Sequence, residues 1–231
     1  MDPFLALEWI NYEGGDLEIP LTGVHLWLIE PTSELVRYLS PAELLRYKRI
    51  VNEEVRVSYG AAQGGLRRIA GVYTGRRPEA LAMRRAARGK PYVVGAPEFN
   101  LSHTSGRMIA VFSSQPVGID VEAAGRSVQA AELARKFFFQ EERERVMRCE
   151  RAERDLTFLR YWVCKEAMVK LNGDGIYHGL RHARVDLAPD GRSQGGYQGR
   201  AVALREFRPA PDLLAALASW EPVEAKGFFR I

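Results

Sequence analysis

The residues with the clearest chemical potential lie in three short segments that are far apart in the chain. Residues 99–104 read FNLSHT, residues 117–122 read VGIDVE, and residues 162–170 read WVCKEAMVK. Together they supply an imidazole, carboxylates and lysine ammonium groups. Mg²⁺ in proteins is usually held by one or two carboxylates together with phosphate oxygens of the substrate, and cationic side chains neutralise phosphate charge. The set therefore predicts a site for a metal ion, a pyrophosphate and a proton transfer.

Asp120 and Glu122 are two residues apart in a strand-like run. Alternation along a strand puts both carboxylates on one face, with their α-carbons roughly 7 Å apart, while Ile119 and Val121 face the other way. Two carboxylates on one face repel each other unless a cation lies between them. An ordinary polar strand face shows the same pattern, so this pair alone does not define a metal site.

Glu166 and Lys170 are four residues apart in a predicted helix, so they share a face with Trp162 one turn earlier. A Glu–Lys pair at this spacing is common on helix surfaces. Here, however, Lys165 and Glu166 lie in the middle of an apolar helical stretch, where a purely solvated pair is less expected. The placement favours a functional role over a surface ion pair.

Two histidine motifs are candidates for ligand binding. Ser102 and His103 lie in a polar break, and a hydroxyl and an imidazole near Lys90 can bind a phosphate monoester, although a lone histidine of this kind is more often structural. His178 and His182 are an i, i+4 pair that could bind a metal. We reject that second site because no third ligand is nearby and the stretch is rich in glycine.

Several classes of protein are disfavoured by the sequence. It contains no Gly-x-Gly-x-x-Gly or Walker phosphate loop, which disfavours nucleotide binding by those folds. The cysteines Cys149 and Cys164 make no disulfide framework or zinc site, and Cys164 lies in an apolar helix, as expected of a buried thiol. No apolar run approaches the roughly 20 residues that span a bilayer, and no signal peptide is visible. We therefore expect a cytoplasmic protein with no membrane partner.

Composition and charge limit the partners. The chain has 231 residues, 46% hydrophobic and 27% charged, enough for a packed core in one domain or two small ones. The formal net charge is +4, with clusters of arginine and lysine between residues 46 and 90. These clusters are either a solvated basic face or a patch that meets an anion or an acidic protein. The charge is too small to argue for nucleic acid, which we do not expect as a partner.

Local patterns predict a mixed α/β (α+β) fold. Ser40 and Glu43 form a capping box at a helix start, and Gly173 follows the clearest helix, over residues 156–171. Residues 107–112 and 117–121 read as the two strands of a hairpin. Further helices are predicted over residues 40–49, 54–72, 78–88, 132–139 and 140–149, and further strands over residues 24–30, 201–208 and 213–220.

The two halves of the chain have similar predicted content. We therefore expect two pseudo-symmetric lobes, each a small sheet packed with helices. The predicted N-terminal lobe covers residues 1–115, and the C-terminal lobe, with the metal and catalytic motifs, covers residues 116–231.

Taken together, the motifs resemble the 4′-phosphopantetheinyl transferases of the surfactin-synthetase-activating (Sfp-type) class. The resemblance runs from about residue 40 to about residue 220 and includes Gly89-Lys90-Pro91, FNLSHT, GIDVE and Trp-x-x-Lys-Glu-Ala-x-x-Lys at residues 162–170. LARKFF at residues 133–138 also looks like the helix that precedes the last motif in that family. Each motif alone is weak, and all of them in this order are highly specific.

The resemblance implies a two-lobe fold with coenzyme A in the cleft. It implies transfer of the phosphopantetheine arm to a serine of an apo acyl or peptidyl carrier protein, with release of adenosine 3′,5′-bisphosphate. Mg²⁺, with Mn²⁺ as the alternative, would be held on the pyrophosphate by Asp120, Glu122 and Glu166. Glu166 is also the expected base for the serine proton, and Lys170 would neutralise charge on the pyrophosphate and leaving group.

The resemblance also implies contacts to coenzyme A. Ser102 and His103 would bind its 3′-phosphate, together with Arg46, Arg56 and Lys90. Lys165 and Lys170 are the other expected contacts to coenzyme A. The sequence departs from the family pattern at Leu44 and Leu45, where basic residues are usual.

The implied partner is a carrier protein with an acidic surface around its serine, modified by a monomeric enzyme. Two alternatives use the same residues. A non-catalytic module that binds coenzyme A or a carrier protein has no need of three carboxylates and Lys170 together. A metal-dependent phosphodiesterase or nuclease could use the carboxylates, but the arginine clusters lack the interleaved aromatic residues of single-strand binding.

Overall fold

Two five-stranded sheets form the frame of the protein. The computed structural model describes residues 7–15, 17–19, 21–175 and 179–231. The order across the first sheet is β1 (Ile10–Asn11), β12 (Glu224–Arg230), β2 (Gly23–Ile29), β6 (Arg107–Ser113) and β5 (Glu98–Thr104). In this sheet, β12 runs parallel to β1 and to β2, and the β2–β6 and β6–β5 pairs are antiparallel.

The second sheet is antiparallel throughout. The order across the second sheet is β7 (Val117–Ala123), β11 (Leu213–Ser219), β10 (Arg200–Phe207), β9 (Gln194–Tyr197) and β8 (Ala183–Asp186). Strand β5 of the first sheet and strand β7 of the second are edge strands.

The two sheets share an apolar core, and a long helix packs on the other side of each. Side chains of β2 and β6 meet those of β7 and β11 between the sheets. On the far side of the first sheet, Trp27 and Ile29 pack with Ile69 of α2; in the second lobe, Ala167 of α5 packs with Ala216. The mixed α/β fold is thus confirmed. Its helices are α1 (Pro41–Arg49), α2 (Glu53–Thr74), α3 (Ala130–Phe137), α4 (Gln140–Arg148) and α5 (Arg151–Asn172).

The first two helices are joined by a buried ion pair. Ser40 and Glu43 form the predicted capping box at the start of α1. Glu43 also accepts a hydrogen bond of 2.5 Å from Nε of Arg67 on α2. Arg67 is buried and donates further to the carbonyls of Pro78 and Leu81. Arg67 is therefore part of the framework of the first lobe and not of a solvated basic face.

Glycine inside α2 allows a close helix contact. A β-carbon on Gly64 would lie 2.1 Å from the carbonyl oxygen of Leu35, which belongs to the 3-10 helix Ser33–Tyr38. Only a residue without a side chain permits this approach. The glycine that weakens the helix prediction locally is thus required by packing.

The predicted hairpin over residues 107–121 is wrong. Both strands exist, but β6 pairs with β2 and β5 in the first sheet, whereas β7 pairs with β11 in the second. The short link over residues 114–116 carries the chain from one sheet to the other. The physical reason is burial, because Ile119 and Val121 cover the apolar face of the first sheet only if β7 leaves that sheet.

Two further differences concern local structure and the lobes. The predicted helix over residues 78–88 is wrong: a 3-10 helix, Pro78–Ala80, is followed by β3 (Met83–Arg85), which pairs with β4 (Pro91–Val93) around a turn at Gly89. Pairing across this turn overrides the local helix preference.

Strand β12 is not among the predicted strands, and it joins the first sheet although it follows every strand of the second sheet. The lobe boundary at residues 115/116 stays a prediction. Strand β12 lies on the C-terminal side of that boundary but pairs with a strand from the N-terminal side.

Candidate active site

Strand β7 and helix α5 carry the three carboxylates, and their backbones touch. A β-carbon on Gly118 would lie 2.0 Å from the carbonyl oxygen of Ala167 and 2.4 Å from the backbone nitrogen of Leu171. Glycine at this position therefore sets the distance between strand and helix. Asp120 and Glu122 follow at alternate positions, on the same face of β7 as Gly118. The strand thus presents both carboxylates to α5.

Asp120 is the most buried of the three carboxylates, with 5% of its side chain exposed. Its Oδ1 accepts hydrogen bonds from Oγ of Ser102 at 2.8 Å and from Nζ of Lys170 at 2.5 Å. Its Oδ2 is buried and has no hydrogen-bond partner. A buried polar atom without a partner costs free energy, so Oδ2 of Asp120 is suited to a bound cation.

Glu122 is held by an arginine on the loop that follows β7. Nη1 of Arg126 lies 3.0 Å from each carboxylate oxygen of Glu122. The Glu122 side chain is 14% exposed and that of Arg126 is 55% exposed. An exposed pair of this kind is weak, so the carboxylate of Glu122 can exchange this partner for a stronger one.

Glu166 on α5 is a half-enclosed carboxylate with a raised pKa. Its side chain is 12% exposed and its Oε2 lies 3.8 Å from Nζ of Lys170. Burial, and next the negative charge of Asp120, raise the pKa of Glu166 to about 7; Lys170 opposes this rise and Glu122 adds to it. A carboxylate that titrates near neutral pH is suited to accept a proton.

Ser102 on β5 lies at the centre of these contacts. Its hydroxyl donates to Asp120, and it accepts hydrogen bonds from Nζ of Lys170 at 2.9 Å and from the backbone N–H of Val121 at 3.3 Å. The structure therefore brings together five of the predicted residues, from β5, β7 and α5. They are Ser102, Asp120, Glu122, Glu166 and Lys170.

Lys165 does not join this cluster. Its side chain is fully buried, with Nζ 2.8 Å from Oε2 of Glu142 on α4, and it donates to the carbonyl of Ala183. One step along a helix turns a side chain by roughly 100°, so Lys165 and Glu166 cannot face the same site. The expectation that Lys165 contacts coenzyme A is therefore not supported, and its role here is to join α4 and β8 to α5.

Two of the expected phosphate contacts lie at the edges of the cluster. His103 is exposed on β5 beside Ser102. Nζ of Lys90 donates to the carbonyl of Val117 at 3.2 Å and lies 3.7 Å from Oε2 of Glu98. Burial lowers the pKa of Lys90, and the charge of Glu98 opposes this change.

Arg46 and Arg56 make local contacts in the first lobe. The guanidinium of Arg46 is exposed and lies over the ring of Tyr59, 5.1 Å from its centroid. Nη2 of Arg56 lies 3.9 Å from Oε1 of Glu53 one turn earlier in α2. Both cations remain available to an anionic ligand because such surface contacts are weak.

The remaining sequence candidates lie outside the cluster. Cys164 is fully buried, and burial raises the pKa of its thiol well above the usual range, as expected of an unreactive core thiol. His182 is in the 3-10 helix Leu180–His182. His178 lies outside the described residues.

Sequence reasoning missed two residues of the site. Arg126 lies four residues after Glu122, but a loop gives no periodic signal for that contact. Asn100 precedes Ser102 by two residues in the FNLSHT motif, and its Oδ1 accepts a hydrogen bond of 3.0 Å from the backbone N–H of Ile119. The alternation of residues 100 and 102 in a strand is a signal that could have revealed it.

The residues present fit a divalent cation. Asp120 offers an unpartnered buried oxygen, and the charges of Asp120 and Glu122 both raise the pKa of Glu166, so the three carboxylates lie close enough to repel one another. Across the described ranges, no three acidic, histidine or cysteine side chains are already grouped as a metal site.

Comparison with known proteins identifies the family. Residues 116–212 match the family model described as the 4′-phosphopantetheinyl transferase superfamily. The chain is 33% identical over 215 residues to the 4′-phosphopantetheinyl transferase HetI of Nostoc sp., covering 86% of this chain and 90% of that protein. It is also 33% identical over 106 residues to the 4′-phosphopantetheinyl transferase Sfp of Bacillus subtilis, covering 45% of this chain and 46% of that protein. The chain therefore belongs to the 4′-phosphopantetheinyl transferase superfamily, and the resemblance seen in its motifs is confirmed.

In the part of the chain that the structure describes, no helix is both long enough and apolar enough to cross a bilayer.

Proposed function

We propose that this protein transfers the 4′-phosphopantetheine group of coenzyme A to a serine of an apo acyl or peptidyl carrier protein. One observation carries the proposal. Glu166, with a pKa of about 7, lies in the same buried cluster as Lys170 and the unpartnered Oδ2 of Asp120. Membership of the transferase superfamily supports the same conclusion.

The transfer requires one bond to form and one to break. The carrier serine oxygen bonds to the phosphorus nearer the pantetheine arm, and the bond from that phosphorus to the bridging oxygen breaks. Adenosine 3′,5′-bisphosphate leaves with the electron pair of that bond. Glu166 takes the serine proton, directly or through a water molecule, because its raised pKa makes it a base that works near neutral pH.

Lys170 and the carboxylates supply the charge balance. Nζ of Lys170 bonds Oδ1 of Asp120, and we assign this ammonium group to a pyrophosphate oxygen in the complex with coenzyme A. Asp120, Glu122 and Glu166 would hold Mg²⁺, or Mn²⁺ as the alternative. A bound divalent ion would polarise the pyrophosphate and stabilise the charge that develops on the leaving group. Fixed cations aimed at developing charge are usually the largest source of catalysis in such reactions.

The outer parts of coenzyme A would meet basic side chains. We assign the 3′-phosphate to His103 and Lys90, with Arg46 and Arg56 as further contacts from the first lobe. Exposed cations on α1 would face an acidic surface of the carrier protein. A monomeric state and a cytoplasmic location remain predictions from the sequence.

The decisive experiment is intact-mass spectrometry of apo carrier proteins incubated with this protein, coenzyme A and Mg²⁺. The expected result is a mass gain of one phosphopantetheine group on the carrier, and no gain when EDTA is present from the start of the incubation. A carrier with its serine replaced by alanine is the control and should show no gain. Coenzyme A binding without transfer to any carrier in a broad panel would contradict the proposal and support the binding-module alternative. Release of 4′-phosphopantetheine to water without a carrier would instead support the phosphodiesterase alternative.

A further inference from the structure

The two lobes are joined at the site by side chains where strands would usually pair through their backbones. Strands β5 and β7 lie at the edges of different sheets. The backbone N–H of Ile119 donates to Oδ1 of Asn100 at 3.0 Å, and the backbone N–H of Val121 donates to Oγ of Ser102 at 3.3 Å. Asn100 is 7% exposed and Ser102 is 5% exposed. Two buried side chains thus satisfy edge-strand donors that would otherwise lack partners.

The hydroxyl of Ser102 has no bonding capacity left. A serine hydroxyl offers one donor and two acceptor positions. Ser102 donates to Oδ1 of Asp120 and accepts from Lys170 and from Val121. A phosphate could receive a hydrogen bond from Ser102 only if the hydroxyl released Asp120. The next residue, His103, is exposed, and alternation along β5 directs it to the opposite face.

We propose that Asn100 and Ser102 are positioning residues for the transfer, and that Ser102 is not a contact to the 3′-phosphate. Together they fix strand β5 against β7, and so fix the first lobe against the strand that carries the carboxylates. Ser102 also occupies Oδ1 of Asp120, which leaves Oδ2 as the oxygen for a cation. This inference rests on the proposed function, adds Asn100 to the site and gives Ser102 a different role.

The phosphate itself provides the sharpest test. Calorimetry measures the affinity of the full-length protein for coenzyme A and for 3′-dephospho-coenzyme A, in wild type, in Ser102→Ala and in the conservative Ser102→Thr. Loss of a positioning residue changes the two affinities in parallel. The affinity ratio, which is the association constant for coenzyme A divided by that for 3′-dephospho-coenzyme A, should therefore stay within about twofold of wild type in Ser102→Ala. Loss of a direct charged hydrogen bond would lower that ratio about tenfold or more.

Rate and metal response give readouts beyond binding. With saturating coenzyme A and carrier, Ser102→Ala should lose about 10- to 100-fold in single-turnover rate, the scale of hydrogen bonds to charged groups. The rise in Tm caused by Mg²⁺ should shrink in the same variant, and Ser102→Thr should restore part of both. Ser113→Ala is the matched control, because Ser113 is a buried serine whose hydroxyl donates to the carbonyl of Gly23, away from the site.

Asn100 is tested through the amide it holds. In Asn100→Ala, hydrogen exchange at the N–H of Ile119 should accelerate, whereas Asn100→Asp keeps an acceptor oxygen and should slow it again.

A fall in the affinity ratio of Ser102→Ala with an unchanged rate would overturn the inference in favour of a phosphate contact. Equal behaviour of Ser102→Ala and Ser113→Ala in rate and Mg²⁺ response would overturn it in favour of a merely structural role. A wild-type protein that binds coenzyme A but modifies no carrier would instead count against the proposed function, and the affinity ratio would still be measurable.

Discussion

The ammonium of Lys170 lies 2.5 Å from Oδ1 of Asp120 and so joins helix α5 to strand β7 at the centre of the site. A cation and a carboxylate held this closely neutralise each other in the absence of ligands. In the proposed complex, a pyrophosphate would give Lys170, and a divalent ion would give Asp120, a new partner of opposite charge. We therefore expect this ion pair to be exchanged for ligand contacts when coenzyme A and the metal ion bind.

Replacing Lys170 with methionine should slow transfer by about 100-fold at saturating coenzyme A and Mg²⁺, because a fixed cation next to the developing charge is lost. The single-turnover rate measures this. Lys226→Met, which removes an exposed lysine paired with Glu224 on β12, should transfer at the wild-type rate. A Lys170→Met rate within about threefold of wild type would exclude a role for this ammonium in the transition state.

Replacing Glu166 with glutamine should change stability in a pH-dependent way in the metal-free protein. The pKa of Glu166 is about 7 in the folded state against an ordinary value of 4.5. Between these pH values the folded protein binds more protons than the unfolded chain, so the free energy of unfolding falls as pH rises through this window. Glu166→Gln removes that loss and should be more stable than wild type at pH 8, by up to about 3 kcal/mol, and equal to it near pH 4.

Thermal melts in EDTA across this pH range provide the measurement for Glu166→Gln. Glu153→Gln is the control, because Glu153 is an exposed residue of the same helix. Equal stability of Glu166→Gln and wild type at pH 8 would show that the ionised form of Glu166 is no less favourable in the folded protein than in the unfolded chain. The same variant should lose at least about 100-fold in transfer rate, the scale of a lost general base.

Replacing Arg126 with alanine should let Mg²⁺ bind more tightly, because Glu122 no longer has to leave an ion pair first. The expected fall in the half-saturating Mg²⁺ concentration is about two- to fivefold, as an exposed pair contributes at most about 1 kcal/mol. A Tm titration with Mg²⁺ measures it. Arg148→Ala removes the same i, i+4 type of pair, to Glu144, and should leave the titration unchanged; a weaker Mg²⁺ response in Arg126→Ala would contradict the exchange of partners.

Replacing Gly118 with alanine should destabilise the protein by about 3 kcal/mol, because the added methyl group meets the backbone of α5 in a well-packed contact. Urea unfolding measures the change. Gly125→Ala is the matched control, since a β-carbon there meets nothing within 4 Å. If Gly118→Ala folds with wild-type stability and transfers at the wild-type rate, the close contact between β7 and α5 does not set the geometry of the carboxylates.

The rate constant for modification of the carrier should fall as salt is added, if exposed cations of α1 guide an acidic partner to the site. Lys48 and Arg49 are exposed on that helix. Lys48→Glu and Arg49→Glu should lower the second-order rate constant with the carrier and leave the affinity for coenzyme A unchanged. Arg67 is buried and is not expected to contribute to this effect. A rate constant that does not change with salt would show that the exposed cations of α1 have no docking role.

The site was predictable from sequence where its geometry is local. Strand alternation relates Asp120 to Glu122, and helical spacing relates Glu166 to Lys170, so both pairs follow from a period of two or of 3.6 residues. The burial of Lys165 was not predictable, because its partner Glu142 lies on another helix and only the tertiary fold brings them together.

The same distinction applies to the fold. The capping box at Ser40 marks the start of α1 from four residues alone. The path of β7 depends on which apolar face it must cover, and that face belongs to β2 and β6. Local pattern therefore found the strand, while its sheet was decided by burial against distant residues.

The place of β12 in the first sheet has a consequence for how the chain folds during its synthesis. This strand lies between β1 and β2, yet the ribosome makes it only after every element of the second lobe. Until residues 224–230 have left the ribosome, β2 has an open edge and the first sheet is incomplete. The first half of the chain cannot finish folding on its own while translation continues, and we expect nascent chains that stop before residue 224 to be degraded or bound by chaperones.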